Sequence, residues 1–328
     1  MAQRRRPRGR ELNGIIILDK AQGMSSNACL QEVKRLFNAN KAGHTGSLDP
    51  LATGVLPLCF GEATKISQFL LDADKIYRTR IKLGVRTDTA DSEGSVISEC
   101  DASMITREQV LKVLPQFTGD ILQMPPMYSA LKHQGTPLYK LAREGKEVVR
   151  ASRPVTVYEL ELTDFSGDEI ELEIHCSKGT YVRTIADDIG EVLGCGAHVT
   201  ALRRLQAGGF DESDCVTISA LLELKEAGSA AEPADPFSAI DRFLIGADKA
   251  VEDLPAVKMP EMTARFIKQG QPVMVRHLPT EGLVRLYEEE EFIGIGVILD
   301  DGRVAPRRLM TGPDTATSMV EPDSAPSL

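Results

Sequence analysis

The stretch from residue 43 to residue 57 contains the most informative carboxylate of the chain, that of Asp49. Its order is Gly-His-Thr-Gly-Ser-Leu-Asp-Pro-Leu-Ala-Thr-Gly-Val-Leu-Pro. Glycines, prolines and small hydroxyl residues at this density predict a tightly shaped loop. Pro50 restricts Asp49 to an extended or turn conformation, so the loop offers one carboxylate held among small residues. A loop aspartate that caps a following helix is the competing interpretation, which spacing alone favours.

Two common ligand-binding loops are excluded by the same spacing. The Gly-Lys-Ser/Thr ending of a phosphate loop is missing, and the glycines do not fit a dinucleotide fingerprint. The six cysteines form no CxxC pair and the five histidines no HxxxH pair, so we expect reduced thiols and no metal site. A carboxylate hydrolase or metal enzyme is a weaker alternative, because its aspartates lie in predicted turns or on a helix surface without partner ligands. They are Asp88, Asp91, Asp187 and Asp188.

The elements on either side of the loop can hold it in place. Gly14–Leu18 is apolar enough for a buried strand, and a helical pattern runs from about Ser26 to Phe37. Tyr77–Val85 alternates, which predicts a strand with one buried face and one basic face. The basic residues are Arg78, Arg80 and Lys82.

The later part of the chain predicts further strands and helices. Residues 106–117 look helical, and Glu169–Cys176 alternates as a strand. A helix is expected over Tyr181–Leu193, with Gly194 just after its end. Residues 224–237 are rich in Ala, Pro and Glu, so we expect them to be loose. From about residue 251, short strands predict a small β-barrel or sandwich. These strands are Val273–Arg276, Leu283–Tyr287, Phe292–Leu299 and Arg303–Pro306.

Size and charge restrict the class of protein. The 328 residues suit one large domain or a large domain with a small one. The net charge of −10 argues against a nucleic-acid partner, but binding depends on where the charges sit. Five arginines lie within the first ten residues, with no apolar run behind them, so a secretory signal is not expected. The apolar stretches are too short to span a bilayer, and we expect a cytoplasmic protein.

Residues 43–57 resemble the signature motif of the TruB family of tRNA pseudouridine synthases. Residues 14–27 resemble that family's first strand and turn, and the resemblance spans about 12–312. Ala21 departs from the proline that many members have after the lysine, which affects a turn and no chemistry. The second, third and fourth motifs are matched by Asp74–Tyr77, Lys178–Thr184 and Gly196–Arg204.

The resemblance implies an isomerase that converts the T-loop uridine of tRNA (tRNA position 55) to pseudouridine. Such an enzyme must flip the base out of its stack. Asp49 would be the nucleophile, Arg183 its cationic partner, and Tyr77 the aromatic ring that stacks on the flipped uracil. The resemblance implies no cofactor, no metal and no membrane. The partner would be the T-arm of tRNA, and the expected state is a monomer.

Substrate-binding roles are implied for five further residues. Tyr181 resembles the second tyrosine of the pocket and Leu202 its apolar wall. Lys20 resembles a supporting basic residue, and His44 the residue that fills the space the uridine leaves. Lys132 is a candidate phosphate contact.

Simpler interpretations of these residues stay open. Arg183 could pair with Asp187 on its own helix, and Tyr77 could be a tyrosine at the edge of the core. Lys20 could be exposed at a strand end, and His44 could make one local hydrogen bond.

The implied fold is α+β, with a mixed, mostly antiparallel central sheet, flanking helices and a catalytic cleft, plus a small C-terminal β-barrel domain of the PUA type. The expected boundaries are a disordered basic arm at 1–11, a catalytic domain at 12–250 and a PUA-like RNA-binding domain at 251–312. A thumb-like insertion is expected at about 124–152, and a disordered tail at 313–328.

Three questions stay open at the level of sequence. Attack on the ribose, ribose deprotonation to a glycal and addition to the uracil ring all use the same aspartate. A non-catalytic RNA-binding or RNA-chaperone role would share the basic strand and the C-terminal domain without needing Asp49. The contribution of Arg4–Arg10 is also undecided.

Overall fold

The computed structural model describes residues 9–230, 235–310 and 312. Residues 1–8 of the expected arm and the expected tail at 313–328 lie outside this description. The helices are α1 Ser26–Leu36, α2 Ser67–Asp72, α3 Arg107–Val113, α4 Leu138–Arg143, α5 Val182–Leu193, α6 Ile218–Ala230, α7 Ser238–Asp241 and α8 Glu261–Lys268. The strands are β1 Gly14–Lys20, β2 Ala42–His44, β3 Thr53–Phe60, β4 Lys75–Leu83, β5 Val85–Thr87, β6 Val96–Glu99, β7 Gly119–Gln123, β8 Lys132–His133, β9 Thr136–Pro137, β10 Arg153–Ser166, β11 Glu169–Cys176, β12 Ala197–Ala207, β13 Phe210–Asp211, β14 Ala256–Met259, β15 Leu283–Glu288, β16 Glu291–Ile298 and β17 Val304–Leu309.

One mixed, mostly antiparallel sheet organises residues 14–211. Its strand order is β1-β3-β12-β4-β11-β10-β7, with β2 beside β3 and β13 beside β12. The pair β3–β12 is parallel, and the other neighbours in this sheet are antiparallel. The predicted α+β fold with this kind of sheet is therefore confirmed. The strand predicted at Glu169–Cys176 has the same bounds in the structure.

Strand β1 is apolar from residue 14 to residue 18, where both of its faces are buried. Ile16 and Leu18 belong to the large core that packs against α1, α5 and α6. Ile15 and Ile17 face the other way, into a second core that also contains Phe292 of the C-terminal sheet. A strand covered on both faces is expected to lose the alternation of polar and apolar residues.

Helix α5 packs closely on β12. One glycine ends the helix, and another allows its close approach to the strand. Gly194 ends the helix in the left-handed conformation, with φ of +77°. Gly190 faces β12, where a Cβ atom would lie 2.3 Å from the backbone nitrogen of Ala197. The expected helix is thus confirmed, and its first turn points toward the loop that holds Asp49.

The predicted basic face of β4 is neutralised by its neighbour β11. Each of its three cations has an acidic partner on or beside that strand, and the closest contacts measure 2.6–3.7 Å. The pairs are Arg78–Glu173, Arg80–Glu171 and Lys82–Asp168. The predicted strand with one buried and one basic face is therefore present, and the register of β11 places acidic residues opposite these cations.

The C-terminal region forms an open sheet, in place of the closed barrel that the sequence predicted. Its order is β14-β15-β16-β17, and β14 runs parallel to β15 after the crossover through α8. The strand expected at Val273–Arg276 is reduced to one bridge between Val273 and Val304. Pro272 directly precedes this stretch and Pro279 follows it three residues later, and proline cannot donate to a ladder of strands.

Residues 224–230 are helical, so the expectation of a loose segment from residue 224 is wrong for them. They form the second half of α6. Leu221 of this helix is fully buried, and Lys225 donates to the carbonyl of Leu36 at the end of α1. Contacts with α1 thus stabilise this helix, which the composition of residues 224–230 does not predict. Across the described ranges, no helix combines the length and the apolar character needed to cross a membrane.

Candidate active site

Asp49 lies in the loop between β2 and β3, and hydrogen bonds hold the loop on both sides of it. Ser26 of α1 accepts from the Leu48 N–H at 2.7 Å and donates to the Leu48 carbonyl at 3.0 Å. The Gly23 N–H donates to the Pro50 carbonyl at 2.8 Å. The ends of the predicted loop are strands, and strand β3 follows Asp49 where capping would need a helix. The capping interpretation is therefore excluded.

Lys20 supports the loop from behind. It is fully buried, and its Nζ donates to the carbonyls of Ala21, Pro50 and Ala52 at 3.0, 3.3 and 2.6 Å. Burial lowers the pKa of Lys20. The structure thus places Lys20 under the Asp49 loop and outside the cleft wall, and the interpretation as an exposed strand-end lysine is excluded.

Arg183 of α5 pairs with Asp49 in the wall of the cleft. Its Nε lies 2.9 Å from Asp49 Oδ2, and its side chain is 5 % exposed while that of Asp49 is 40 % exposed. Two carbonyls fix the rest of the guanidinium: Nη1 donates to Thr89 at 2.9 Å and Nη2 to Tyr128 at 2.7 Å. The alternative partner Asp187 binds Arg86 instead, with contacts of 2.6 and 2.7 Å. The carboxylate therefore faces the cleft and its cation lies behind it.

Asp91 is a second carboxylate at this arginine that sequence reasoning did not assign to the site. It is 3 % exposed, and its Oδ2 lies 3.4 Å from Arg183 Nη1. Thr89 donates to its Oδ1 at 2.6 Å. Ala90 between them has φ of +58°, a conformation that non-glycine residues rarely adopt. The aspartates of the turn at 88–91 are the signal in the sequence, where they fit the competing carboxylate hydrolase or metal enzyme.

Asp49 carries a pKa above its ordinary value. Burial raises the pKa of its carboxyl, Arg183 lowers it, and the nearby Asp91 raises it again. Because Arg183 is shared between two carboxylates, its charge does not fully offset the burial of Asp49. The result is a carboxylate that is less well solvated than one in water and is held by one directed contact.

The cleft beside Asp49 has a volume of about 310 Å³ and is walled by the predicted aromatic and apolar residues. Tyr77 of β4, Tyr181 before α5 and Leu202 of β12 all line it. Both backbone polar groups of Tyr181 bind the buried Gln123 of β7, at 2.7 and 3.0 Å. This size lies at the lower end of small-ligand pockets, and the walls could receive a planar ring.

Two buried cations complete the cleft, and sequence reasoning named neither as a site residue. Arg204 is 1 % exposed, and its Nε donates to the Val55 carbonyl at 2.6 Å. Burial raises the pKa of the Tyr77 phenol, and Arg204 opposes that rise. Lys75 is also buried; it donates to the carbonyls of Leu70 and Leu71 at the end of α2, and burial lowers its pKa to about 8.

His44 and Lys132 lie outside the wall of this cleft. His44 is in β2, two residues before the loop residue Gly46, which does line the cleft. Its Nδ1 is buried without a hydrogen-bond partner, and burial lowers its pKa, which favours the neutral ring. Lys132 is exposed on the short hairpin β8–β9. Their proposed RNA contacts stay predictions.

The larger groove in the described part of the chain lacks the residues of this cleft. A larger groove of about 850 Å³ lies between α2 and the C-terminal sheet, but neither Asp49 nor Arg183 lines it. Among residues 9–230, 235–310 and 312, no cluster of His, Cys, Asp and Glu could hold a metal ion. We therefore assign the chemistry to the smaller cleft.

Comparisons with known proteins identify the family of the chain. Residues 34–182 match the model for the TruB family pseudouridylate synthase, N-terminal domain. Residues 183–252 match the tRNA pseudouridylate synthase B C-terminal domain, and residues 255–310 match pseudouridine synthase II TruB, C-terminal.

Similar proteins extend the match to almost the whole chain. The tRNA pseudouridine synthase B of Tolumonas auensis is 56 % identical over 313 residues, which cover 94 % of this chain and 96 % of that protein. The protein of the same name from Serratia proteamaculans is 56 % identical, with 94 % and 98 % covered. An H/ACA ribonucleoprotein structure, bound to a substrate RNA containing 2'-deoxyuridine, shares the fold at 22 % identity, with a TM-score of 0.70 over 96 % of this chain and 93 % of that one. With these matches over the residues that build the cleft, the chain belongs to the TruB family of pseudouridylate synthases.

Proposed function

We propose that this protein isomerises the T-loop uridine of tRNA, at tRNA position 55, to pseudouridine, with Asp49 as the nucleophile. Membership of the family makes the chain an enzyme that converts uridine in tRNA to pseudouridine. The observation that carries the finer proposal is the contact of 2.9 Å between Arg183 Nε and Asp49 Oδ2 at the edge of the cleft. This contact favours the ionised carboxylate and leaves one of its faces toward a bound nucleoside.

Base flipping suggests a role in base binding for the aromatic and apolar residues in the wall of the cleft. A uridine inside a folded T-loop cannot present its glycosidic bond to a side chain, so the nucleotide must leave the stack. Tyr77 would stack on the uracil, which contributes roughly 1–3 kcal/mol per base. Tyr181 and Leu202 would close the pocket around the ring. Attack on the ribose, formation of a glycal and addition to the ring all remain compatible with this placement of Asp49.

The proposed partner is the T-arm of tRNA, bound by a monomer without metal or cofactor. Residues 124–152 would form the thumb that closes on the RNA, with Lys132 as a phosphate contact and His44 filling the vacated space. Lys20 would act through the loop that it supports. The proposed division is a catalytic domain at 12–250 and an RNA-binding domain at 251–312, in a protein of the cytoplasm.

Asp49→Asn tests the proposal, with Asp164→Asn as the matched control. Asp164 is exposed on β10, outside the cleft. Each protein is incubated with an unmodified T-arm stem-loop in excess chelator, and pseudouridine is mapped along the RNA. We expect product at the T-loop uridine with the wild type and the control. Asp49→Asn should bind the RNA and form no product.

Three results would contradict parts of the proposal. Product at another uridine, or only in another class of RNA, would overturn the substrate. Activity that disappears in chelator would favour the metal enzyme. Normal product formation by Asp49→Asn would exclude the nucleophile and leave the RNA-binding or chaperone role as the better account.

A further inference from the structure

The hydroxyl of Ser129 is buried beside the cleft without a hydrogen-bond partner. The residue is 5 % exposed, and its Oγ makes no hydrogen bond. Its backbone is fully used, because its N–H donates to the Met127 carbonyl at 2.9 Å and its carbonyl accepts from the Tyr139 N–H at 3.1 Å. Burial of an unsatisfied hydroxyl costs stability, so such a group in a folded protein requires an explanation.

Ser129 is placed where a bound nucleoside would lie. It lines the cleft together with Asp49, Tyr181 and Arg183. The carbonyl of the preceding residue, Tyr128, accepts from Arg183 Nη2 at 2.7 Å, which fixes the segment against the group that orients Asp49. The position of Ser129 is therefore tied to the geometry of the reacting carboxylate.

The Tyr181 phenol is a polar neighbour of Ser129, but it does not form a hydrogen bond with the Ser129 hydroxyl. Ser129 lowers the pKa of that phenol, which burial raises overall. The two hydroxyls nevertheless make no hydrogen bond.

We propose that Ser129 is a specificity-determining residue whose hydroxyl turns into the cleft and hydrogen-bonds the flipped nucleoside. Rotation about the single χ1 bond moves Oγ between staggered positions without moving the backbone. A hydroxyl both donates and accepts, so it can bind either the ribose 2′-hydroxyl or the polar edge of the uracil ring. The substrate would then supply the partner that the free protein lacks. This inference rests on the proposed function.

The proposal predicts opposite effects of Ser129→Ala on stability and on turnover. Removal of an unsatisfied hydroxyl should leave the thermal midpoint unchanged or raise it. The single-turnover rate on the T-arm stem-loop should fall about tenfold, as for the loss of one hydrogen bond to substrate. Ser26→Ala is the matched control for stability, because Ser26 is equally buried but its hydroxyl makes two hydrogen bonds. That variant should unfold at a lower temperature.

A second RNA, with 2′-deoxyuridine at the target position, identifies the contact by binding. If Ser129 binds the ribose, the affinity losses from Ser129→Ala and from the 2′-deoxy change should not add. Additive losses assign the contact to the uracil edge. Full single-turnover activity of Ser129→Ala overturns the inference, and so does a loss of stability as large as that of Ser26→Ala. Absence of product with the wild type in the same assay would instead reject the proposed function.

Discussion

Arg183 Nε lies 2.9 Å from Asp49 Oδ2, although Arg183 is almost completely buried and Asp49 opens on the cleft. The same guanidinium lies 3.4 Å from Asp91, which is itself buried. The Arg183 guanidinium therefore contacts two carboxylates, the buried one of Asp91 and the partly exposed one of Asp49. This sharing explains why burial raises the pKa of Asp49 in spite of its ion pair.

Arg183→Lys should shift the pH dependence of the reaction upward. One ammonium group cannot replace a guanidinium that contacts two carboxylates and two carbonyls, so the pKa of Asp49 should rise further. The nucleophile proposed above must be ionised to act, so the single-turnover rate should increase with pH over a higher range than in the wild type. At neutral pH we expect a loss of about 100-fold from the misplaced carboxylate.

The control for this prediction is Arg86→Lys, since Arg86 pairs with Asp187 outside the cleft. Its pH profile should match that of the wild type. An acid limb at the same pH in Arg183→Lys and the wild type would show that Arg183 does not set the ionisation of Asp49.

Asp49→Asn should not lower the stability of the fold at neutral pH. The pKa of Asp49 is raised in the folded state, so ionisation disfavours folding as pH rises through that pKa. Asparagine removes this cost. The difference between the thermal midpoints of the variant and the wild type should be largest near neutral pH and should vanish below the pKa of an unfolded aspartate. A variant that melts well below the wild type at pH 7 would contradict this sign.

Gly54→Ala should disrupt the support of the cleft. Gly54 has φ of +97°, and a Cβ atom there would lie 2.2 Å from the backbone oxygen of Arg204. We expect a loss of roughly 3 kcal/mol or more in the free energy of unfolding, because the backbone of β12 must move. Gly167→Ala is the control, with φ of +63° and no atom within 4 Å. Gly167→Ala should lower the free energy of unfolding by about 1–2 kcal/mol. Equal losses for the two variants in denaturant melts would contradict the proposed clash between the Cβ atom at residue 54 and Arg204.

Arg78→Gln combined with Arg80→Gln should hardly weaken RNA binding. Both charges are paired with Glu171 and Glu173 of β11, so few phosphate contacts should depend on them. The affinity for the T-arm should stay within about threefold, and the slope of log affinity against log salt should change by less than about one. A decrease of the slope by about two would mean that both arginines leave their partners to bind phosphates.

The sequence by itself located the proposed nucleophile and many of the elements around it. The loop of small residues and Pro50 marked Asp49, and the alternation over Glu169–Cys176 gave the bounds of β11 as the structure has them. Helix α5 followed from its apolar stripe and from Gly194. These features depend on local preferences and on a long motif, which are written in consecutive residues.

Only the tertiary structure decided which charges meet and which polar groups are left alone. Arg183 contacts Asp91 as well as Asp49. Lys20 is buried under the loop, and acidic residues of β11 pair with cations of β4. Ser129 is left without a partner beside the cleft. Each of these outcomes depends on residues far apart in the chain and on the register of paired strands, and a pattern of neighbouring residues carries no information about either.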